Sequence, residues 1–215
     1  MKLFADSKSL EEVESDIGET VGQLLTPLTY RRNFRPDQPF GIDNGCFATF
    51  HKDKYFSLLE RELINAKYCK FIALPDVVGS ARRTLELFSH YRHHPLICKF
   101  PKALVIQNGQ ENLPIEWDLI DAVFIGGDDN FKDSEESKQI IQCAKRLDKW
   151  VHIGRINGVP RWNQFEKWGA DSCDGTGFSM YSENRWRIFR NKTQPKLIGL
   201  TEQTFEARPH LELQR

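Results

Sequence analysis

The stretch Ala122-Val123-Phe124-Ile125-Gly126-Gly127 is four apolar residues that end on two glycines. It is apolar at every position rather than at alternate ones, which predicts a strand buried on both faces. Downstream, Ser134–Leu147 carries Ile140, Ile141, Ala144 and Leu147 at helical spacing, with Ser134 placed to cap and Glu135 and Glu136 in the first turn. Val151–Ile153 then repeats the apolar run and stops at Gly154-Arg155. Buried strand, helix, buried strand is the unit from which parallel sheets covered by helices are built.

The same alternation extends to both sides of this unit. Lys2–Phe4, Gly22–Leu25, Phe40–Ile42, Lys70–Leu74, Ala103–Ile106 and Asp171–Cys173 read as further strands. Leu10–Ile17, Lys54–Ala66, Ala81–Tyr91 and Trp162–Trp168 read as helices, the last closed by Gly169, a suitable C-cap. A count of eight strands predicts a compact (β/α)8 barrel, with a doubly wound open sheet as the alternative. The reading is one domain over residues 1–215, with its core at about 20–180 and a basic extension over 181–215 in which Arg185–Lys196 is a tail or an edge strand.

Composition narrows the classes. The 215 residues are enough for one buried core, and 40% hydrophobic with 28% charged residues is ordinary globular usage. Lys plus Arg and Asp plus Glu are both 30, which argues against a surface coated in basic residues. No apolar run approaches the roughly 20 residues of a membrane span, and Met1–Leu10 lacks the apolar centre of a secretory signal. The five cysteines are scattered, with no Cys-x-x-Cys pair, so neither a disulfide framework nor a structural zinc site is expected. The expected compartment is the cytoplasm.

In parallel α/β folds the loops after the strands form the active face. The residues that stand there are Asp43, Asp76, Gln107, Gly126, Gly127, Arg155 and Asp174. Carboxylates brought together raise one another's pKa, so such a set is either a Mg²⁺ site or an acid/base and nucleophile set. Gly126-Gly127 could supply backbone donors to a phosphate, but Asp128 and Asp129 follow at once and repel an anion. A flat, neutral, hydrogen-bonding ligand such as a nucleobase suits the set better.

Each residue also has a plainer reading. Asp43 could cap a turn before Gly45, Asp76 could start a helix after Pro75, Gly126-Gly127 and Asp174-Gly175 could be tight turns, and Cys46 and Cys173 could be small apolar fillers. His90, His93 and His94 have no metal-ligand context. Carboxylates at three separate strand ends shift the balance towards chemistry.

These segments resemble the guanine transglycosylases, barrel enzymes that exchange guanine in nucleic acid for a 7-deazaguanine. The likeness rests on Gly41-Ile42-Asp43-Asn44-Gly45-Cys46-Phe47, Leu74-Pro75-Asp76-Val77-Val78-Gly79, Val105-Ile106-Gln107-Asn108-Gly109, Phe124-Ile125-Gly126-Gly127 and Gly169-Ala170-Asp171-Ser172-Cys173-Asp174-Gly175, in the family's order. The cysteine-rich zinc insertion of the tRNA enzymes is missing, and Gly175-Thr176-Gly177 stands where they carry Pro-Thr-Arg. In length and motif the chain looks more like the short branch that acts on DNA, including phage proteins.

The resemblance implies a mechanism. Asp174 would attack C1′, and Asp43 would protonate the departing guanine and deprotonate the incoming base. Asp76, Gln107 and the backbone of Gly126 and Gly127 would bind the purine edge, beside Asn44, with Phe47 as a wall. Asp171 is a second, lower-ranked nucleophile. The expected partners are DNA and a free 7-deazaguanine base such as 7-cyano-7-deazaguanine, with no metal and no organic cofactor required. For backbone contacts the candidates are Arg31, Arg32, Arg35, Arg155, Arg161, Arg185, Arg187, Arg190 and Lys192, the last four interleaved with Trp186 and Phe189. Competing readings are an RNA substrate, a non-catalytic base-binding or nucleic-acid-binding barrel, and a metal-dependent hydrolase.

Overall fold

A computed structural model describes residues 1–6, 8–28, 35 and 37–193. Eight parallel strands close into a barrel in sequence order: β1 (Lys2–Ala5), β2 (Gly22–Leu25), β3 (Phe40–Ile42), β4 (Cys69–Ala73), β5 (Lys102–Ile106), β6 (Ala122–Ile125), β7 (Trp150–Ile153) and β8 (Ser172–Cys173). The ring is shut by β1 against β8, with Lys2 opposite Ser172 and Leu3 opposite Cys173. Closure leaves no open sheet edge, so the open-sheet alternative falls. It also carries the core back to residue 2, well before the expected boundary near residue 20.

Helices pack outside. They are α1 (Leu10–Ile17), α2 (Lys52–Glu62), α3 (Ala81–Tyr91), α4 (Asp129–Lys132), α5 (Glu135–Arg146), α6 (Val159–Trp168), α7 (Thr176–Met180) and α8 (Ser182–Thr193). Between β5 and β6 the chain makes two short 3-10 turns, Gln110–Asn112 and Trp117–Leu119, instead of a helix. Ser134 caps α5 as expected: its Oγ accepts the Ser137 N–H at 3.2 Å. The short α4 and α7 carry no apolar period, which is why periodicity does not reveal them.

Two apolar layers result. Leu104, Ile106, Val123, Ile125, Val151 and Ile153 point outward to meet Ile141, Trp162 and Phe165 of the helices. Their neighbours Phe4, Phe71, Ala73, Ala103, Val105 and Phe124 fill the barrel interior. This alternation with period two is why the strands read as continuously apolar. Large rings fit inside because glycines face them: a Cβ on Gly22 would lie 2.1 Å from the Phe4 ring, and one on Gly41 2.4 Å from that of Phe71.

Of the segment expected as a tail or edge strand, residues 194–215 lie outside the described residues, and residues 185–193 belong to α8 instead. Arg185 is buried there, with Nε donating to Asp16 at 2.6 Å, Nη2 to Glu12, and Nη1 to the carbonyls of Phe178 at 2.7 Å and Ser179 at 3.0 Å. It clamps α8 to α1 and α7. An arginine whose donors are spent inside the fold is not free to hold nucleic acid, so that expectation is corrected.

Candidate active site

The C-terminal ends of the strands surround one cleft. It is lined by Asp43, Asp76, Gln107, Gly126, Arg155 and Asp174, with apolar walls from Ala73, Val105, Phe124, Val78 and Phe47. Its empty volume, open mouth included, is about 490 Å³. Each polar residue stands one to three positions beyond its strand, where a side chain turns over the rim of the barrel.

Asp43 follows β3 and is half-buried. Its Oδ1 accepts the Gly45 N–H at 2.6 Å, so the plain turn-capping reading is true of one oxygen. Burial, with Asp174 and Asp76 nearby, raises its pKa from 3.8 to about 6, against the opposing pull of the Gly45 N–H and Arg155. A carboxyl that changes state near pH 6 can both give and take a proton around neutrality.

Asp76 is buried at the end of a hydrogen-bonded chain. Its Oδ1 accepts from Asn44 Nδ2 at 2.8 Å and its Oδ2 from Gln107 Nε2 at 2.6 Å. Burial raises its pKa, and the Asn44, Gln107 and Cys46 hydrogen bonds oppose that rise. Asn44 spends its other amide hydrogen on the Leu74 carbonyl at 2.7 Å, and its Oδ1 accepts the Cys46 N–H at 2.7 Å. Asn44 is therefore the brace that orients Asp76. Gln107 Oε1 accepts the N–H groups of Gly79 at 2.9 Å and Gly127 at 3.0 Å. One amide hydrogen of Gln107 is left over to meet a carbonyl.

The two glycines act differently from the expectation. The Gly126 N–H donates to the Ile106 carbonyl at 2.9 Å and the Gly127 N–H to Gln107, so both are engaged within the protein. What they contribute is room. A Cβ at Gly126 would stand 2.9 Å from Gln107 Nε2, and one at Gly127 2.8 Å from Asn108 Oδ1.

Asp174 follows β8. Its Oδ1 accepts the Arg155 backbone N–H at 3.0 Å and faces His152 Nε2 at 3.1 Å, while Oδ2 accepts nothing from the described residues. Gly175 allows the loop after β7 to press close: a Cβ there would lie 1.7 Å from the Ile156 carbonyl oxygen. Asp171 lies at the other end of β8, bound by Lys145 Nζ at 2.7 Å and by the Val151 N–H at 2.7 Å. It does not reach the cleft, and as a candidate nucleophile it is set aside.

Arg155 is exposed and adopts a left-handed backbone (φ 58°), an uncommon state for a non-glycine residue. That turn lays its guanidinium over the Phe47 ring, 3.9 Å from the centroid, at the mouth of the cleft. Phe47 is 67% exposed, so it forms an outer wall only. Outside this pair a wider trough begins, lined by Phe47, Val78, Asn108, Lys132, Arg155 and Asn157 together with Asp128 and Asp129.

The other basic candidates divide. Arg161 is held by Asp129 at 2.7 Å and Asp133 at 3.1 Å, Arg187 is exposed but pairs with Glu183 at 2.5 Å, and Arg35 pairs with Glu14 at 2.5 Å. Arg31 and Arg32 lie outside the described residues, as do the side chains of Phe189, Arg190 and Lys192.

Sequence reasoning missed two residues. Lys132 is buried beside the trough, its nearest carboxylate oxygen 4.0 Å away on Asp129, and burial followed by Arg155 lowers its pKa from 10.5 to about 8. His152 sits inside the barrel among Phe4, Phe71 and Phe124, with ring centroids at 5.7, 4.6 and 4.8 Å. Its signal was a polar ring between Val151 and Ile153, at the parity of β7 that leads to Gly154. Among the described residues, no group of three or more His, Cys, Asp or Glu is placed to hold a metal ion.

No protein-family model and no curated protein matches this chain. Among solved structures, it is similar to two mutant forms of the tryptophan synthase alpha-subunit from the hyperthermophile Pyrococcus furiosus, at 13% identity and a TM-score of 0.49. The alignments cover 88% and 89% of this chain and 94% and 95% of those chains. At that level the likeness carries no argument about the site; the closed eight-stranded ring itself establishes the barrel.

Proposed function

We propose that the chain is a transglycosylase that exchanges guanine in DNA for a free 7-deazaguanine base through a covalent aspartyl intermediate. The observation that carries this reading is the pairing of two unlike carboxyl groups on one cleft. Asp43 has a pKa raised to about 6, while Asp174 presents an oxygen that no described donor occupies. Dividing nucleophile and proton-transfer roles between two such groups is what glycosyl exchange with retention requires.

In the first step Asp174 Oδ2 forms a bond to C1′ as the C1′–N9 bond breaks. The bonding pair leaves with guanine, which takes the Asp43 proton. The incoming base then gives its N9 proton to Asp43, and its N9 displaces Asp174 from C1′. Asp76 lies across the cleft for the ring N–H and exocyclic amine, and the free amide hydrogen of Gln107 for the carbonyl. The target nucleotide must leave its stack at a cost of a few kcal/mol. Arg155 over Phe47 offers a flat cationic surface to a nucleotide at the mouth.

The test is incorporation of radiolabelled guanine into DNA, with tRNA in parallel and Asp174→Ala beside the wild type. Label in DNA that disappears with Asp174→Ala is the expected result. Label retained only in tRNA removes the DNA assignment, and unchanged incorporation by Asp174→Ala removes the nucleophile.

A further inference from the structure

We infer that His152 is a positioning residue for Asp174: its Nε2–H holds Oδ1 so that Oδ2 is the attacking oxygen. The inference rests on Asp174 being the nucleophile proposed above.

The geometry begins with strand parity. Trp150 and His152 of β7 point into the barrel, as do Ser172 of β8 and Asp174 just beyond it; His152 pairs with Ser172 in the β7–β8 register. Side chains from the two strands interleave into one chain up the barrel wall. Trp150 Nε1 donates to Ser172 Oγ at 2.9 Å, Ser172 Oγ lies 2.8 Å from His152 Nδ1, and His152 Nε2 lies 3.1 Å from Asp174 Oδ1.

The direction of the chain follows from its lower end. An indole N–H can only donate, so Ser172 Oγ is the acceptor from Trp150. The hydroxyl then has one proton to give, and His152 Nδ1 is the acceptor beside it. A carboxylate oxygen can only accept, so the ring proton that faces Asp174 resides on Nε2, and Nδ1 takes the Ser172 proton. His152 is fully buried with aromatic rings of Phe4, Phe71 and Phe124 around it, so the imidazole cannot swing away.

Both hydrogen bonds to Asp174, from His152 Nε2 and from the Arg155 N–H, fall on Oδ1. Two donors on one oxygen fix the carboxylate plane and leave the lone pairs of Oδ2 towards the cleft. In the glycosyl ester Oδ1 becomes the carbonyl oxygen and keeps both donors. As the ester C1′–O bond breaks in the second step, the charge returning to the carboxylate meets donors already in place. His152 exchanges no proton at either step.

The test uses the full chain and two readouts. The first is nitrogen NMR of protein labelled at its six histidines, with the His152 signals assigned by their loss in His152→Gln. A protonated Nε2 is expected in the wild type, and the Nδ1 signal shifts in Ser172→Ala; a bare Nε2 overturns the inference. The second is base-exchange kinetics. His152→Leu keeps the apolar fit but has no donor, and should lower kcat about 100-fold with KM for the free base unchanged. His152→Gln, which can still donate to Oδ1, should stay within about tenfold of wild type. If His152→Leu matches wild type in kcat while Asp174→Ala is inactive, the positioning role is wrong and the nucleophile stands. If Asp174→Ala is itself active, the nucleophile falls, and the inference falls with it.

Discussion

Replacing Asp43 by asparagine should make the protein more stable at neutral pH and less able to turn over. The pKa of Asp43 goes from 3.8 to about 6 on folding, chiefly through burial and then through Asp174 and Asp76. At about 1.4 kcal/mol per pH unit, that is about 3 kcal/mol of folding free energy. The sign is fixed by the direction. Below pH 3.8 both states hold the proton and Asp43 costs nothing; between 3.8 and 6 the unfolded chain ionises freely while the folded one resists; above 6 the full cost is present. Asparagine removes that cost and keeps an oxygen for the Gly45 N–H, which Asp43 Oδ1 accepts at 2.6 Å. Because Asp43 is half-buried and its cleft is open to water, the expected gain at pH 8 is about 2 kcal/mol, fading to near zero at pH 4. Urea unfolding of wild type and Asp43→Asn at both pH values reads this directly, and the difference of differences cancels every titrating group that is not coupled to Asp43. A gain of equal size at pH 4 and pH 8, or a loss at pH 8, would refute the electrostatic account of this carboxyl.

Three further predictions follow from other parts of the molecule. If Asp43 must be protonated when guanine departs, the rate of label exchange into DNA should fall about tenfold per pH unit above about 6, and Asp43→Asn should be slow throughout. Arg185→Met should lower stability by about 3 kcal/mol by leaving Asp16 and the Phe178 and Ser179 carbonyls unpaired while the salt dependence of DNA affinity is unchanged, whereas Arg155→Ala should reduce that dependence; urea unfolding and salt titration measure the two. Gly175→Ala should cost about 3 kcal/mol and displace Asp174, because the added Cβ would lie 1.7 Å from the Ile156 carbonyl oxygen; retained stability and exchange activity would show that the loop after β7 yields easily.

Much of the architecture is legible locally. The strand runs and the periods of α1, α3 and α5 are short-range patterns, and a strand apolar at every position says that both of its faces are covered, which in turn requires helices outside and side chains inside. The places of Asp43, Asp76, Gln107 and Asp174 after their strands follow from the same patterns, since the rim residues of a parallel sheet are the ones that end each run. Arg185 misled because its neighbours Trp186 and Arg187 are exposed; only the packing of α8 on α1 supplies Glu12 and Asp16, which are more than 160 residues away.

What the chain determines by itself is therefore which residues reach the rim: run length, parity and the polar residue that ends each strand need no knowledge of distant segments. Tertiary structure alone decides what those residues do once there. Closure of β1 on β8 sets the interior, the β7–β8 register brings Trp150, Ser172, His152 and Asp174 into one chain, and the left-handed turn at Arg155 carries a cation over Phe47. Hydrogen-bond direction and desolvation are properties of neighbours in space, and the neighbours of Asp43 and Asp174 come from segments that no local pattern connects.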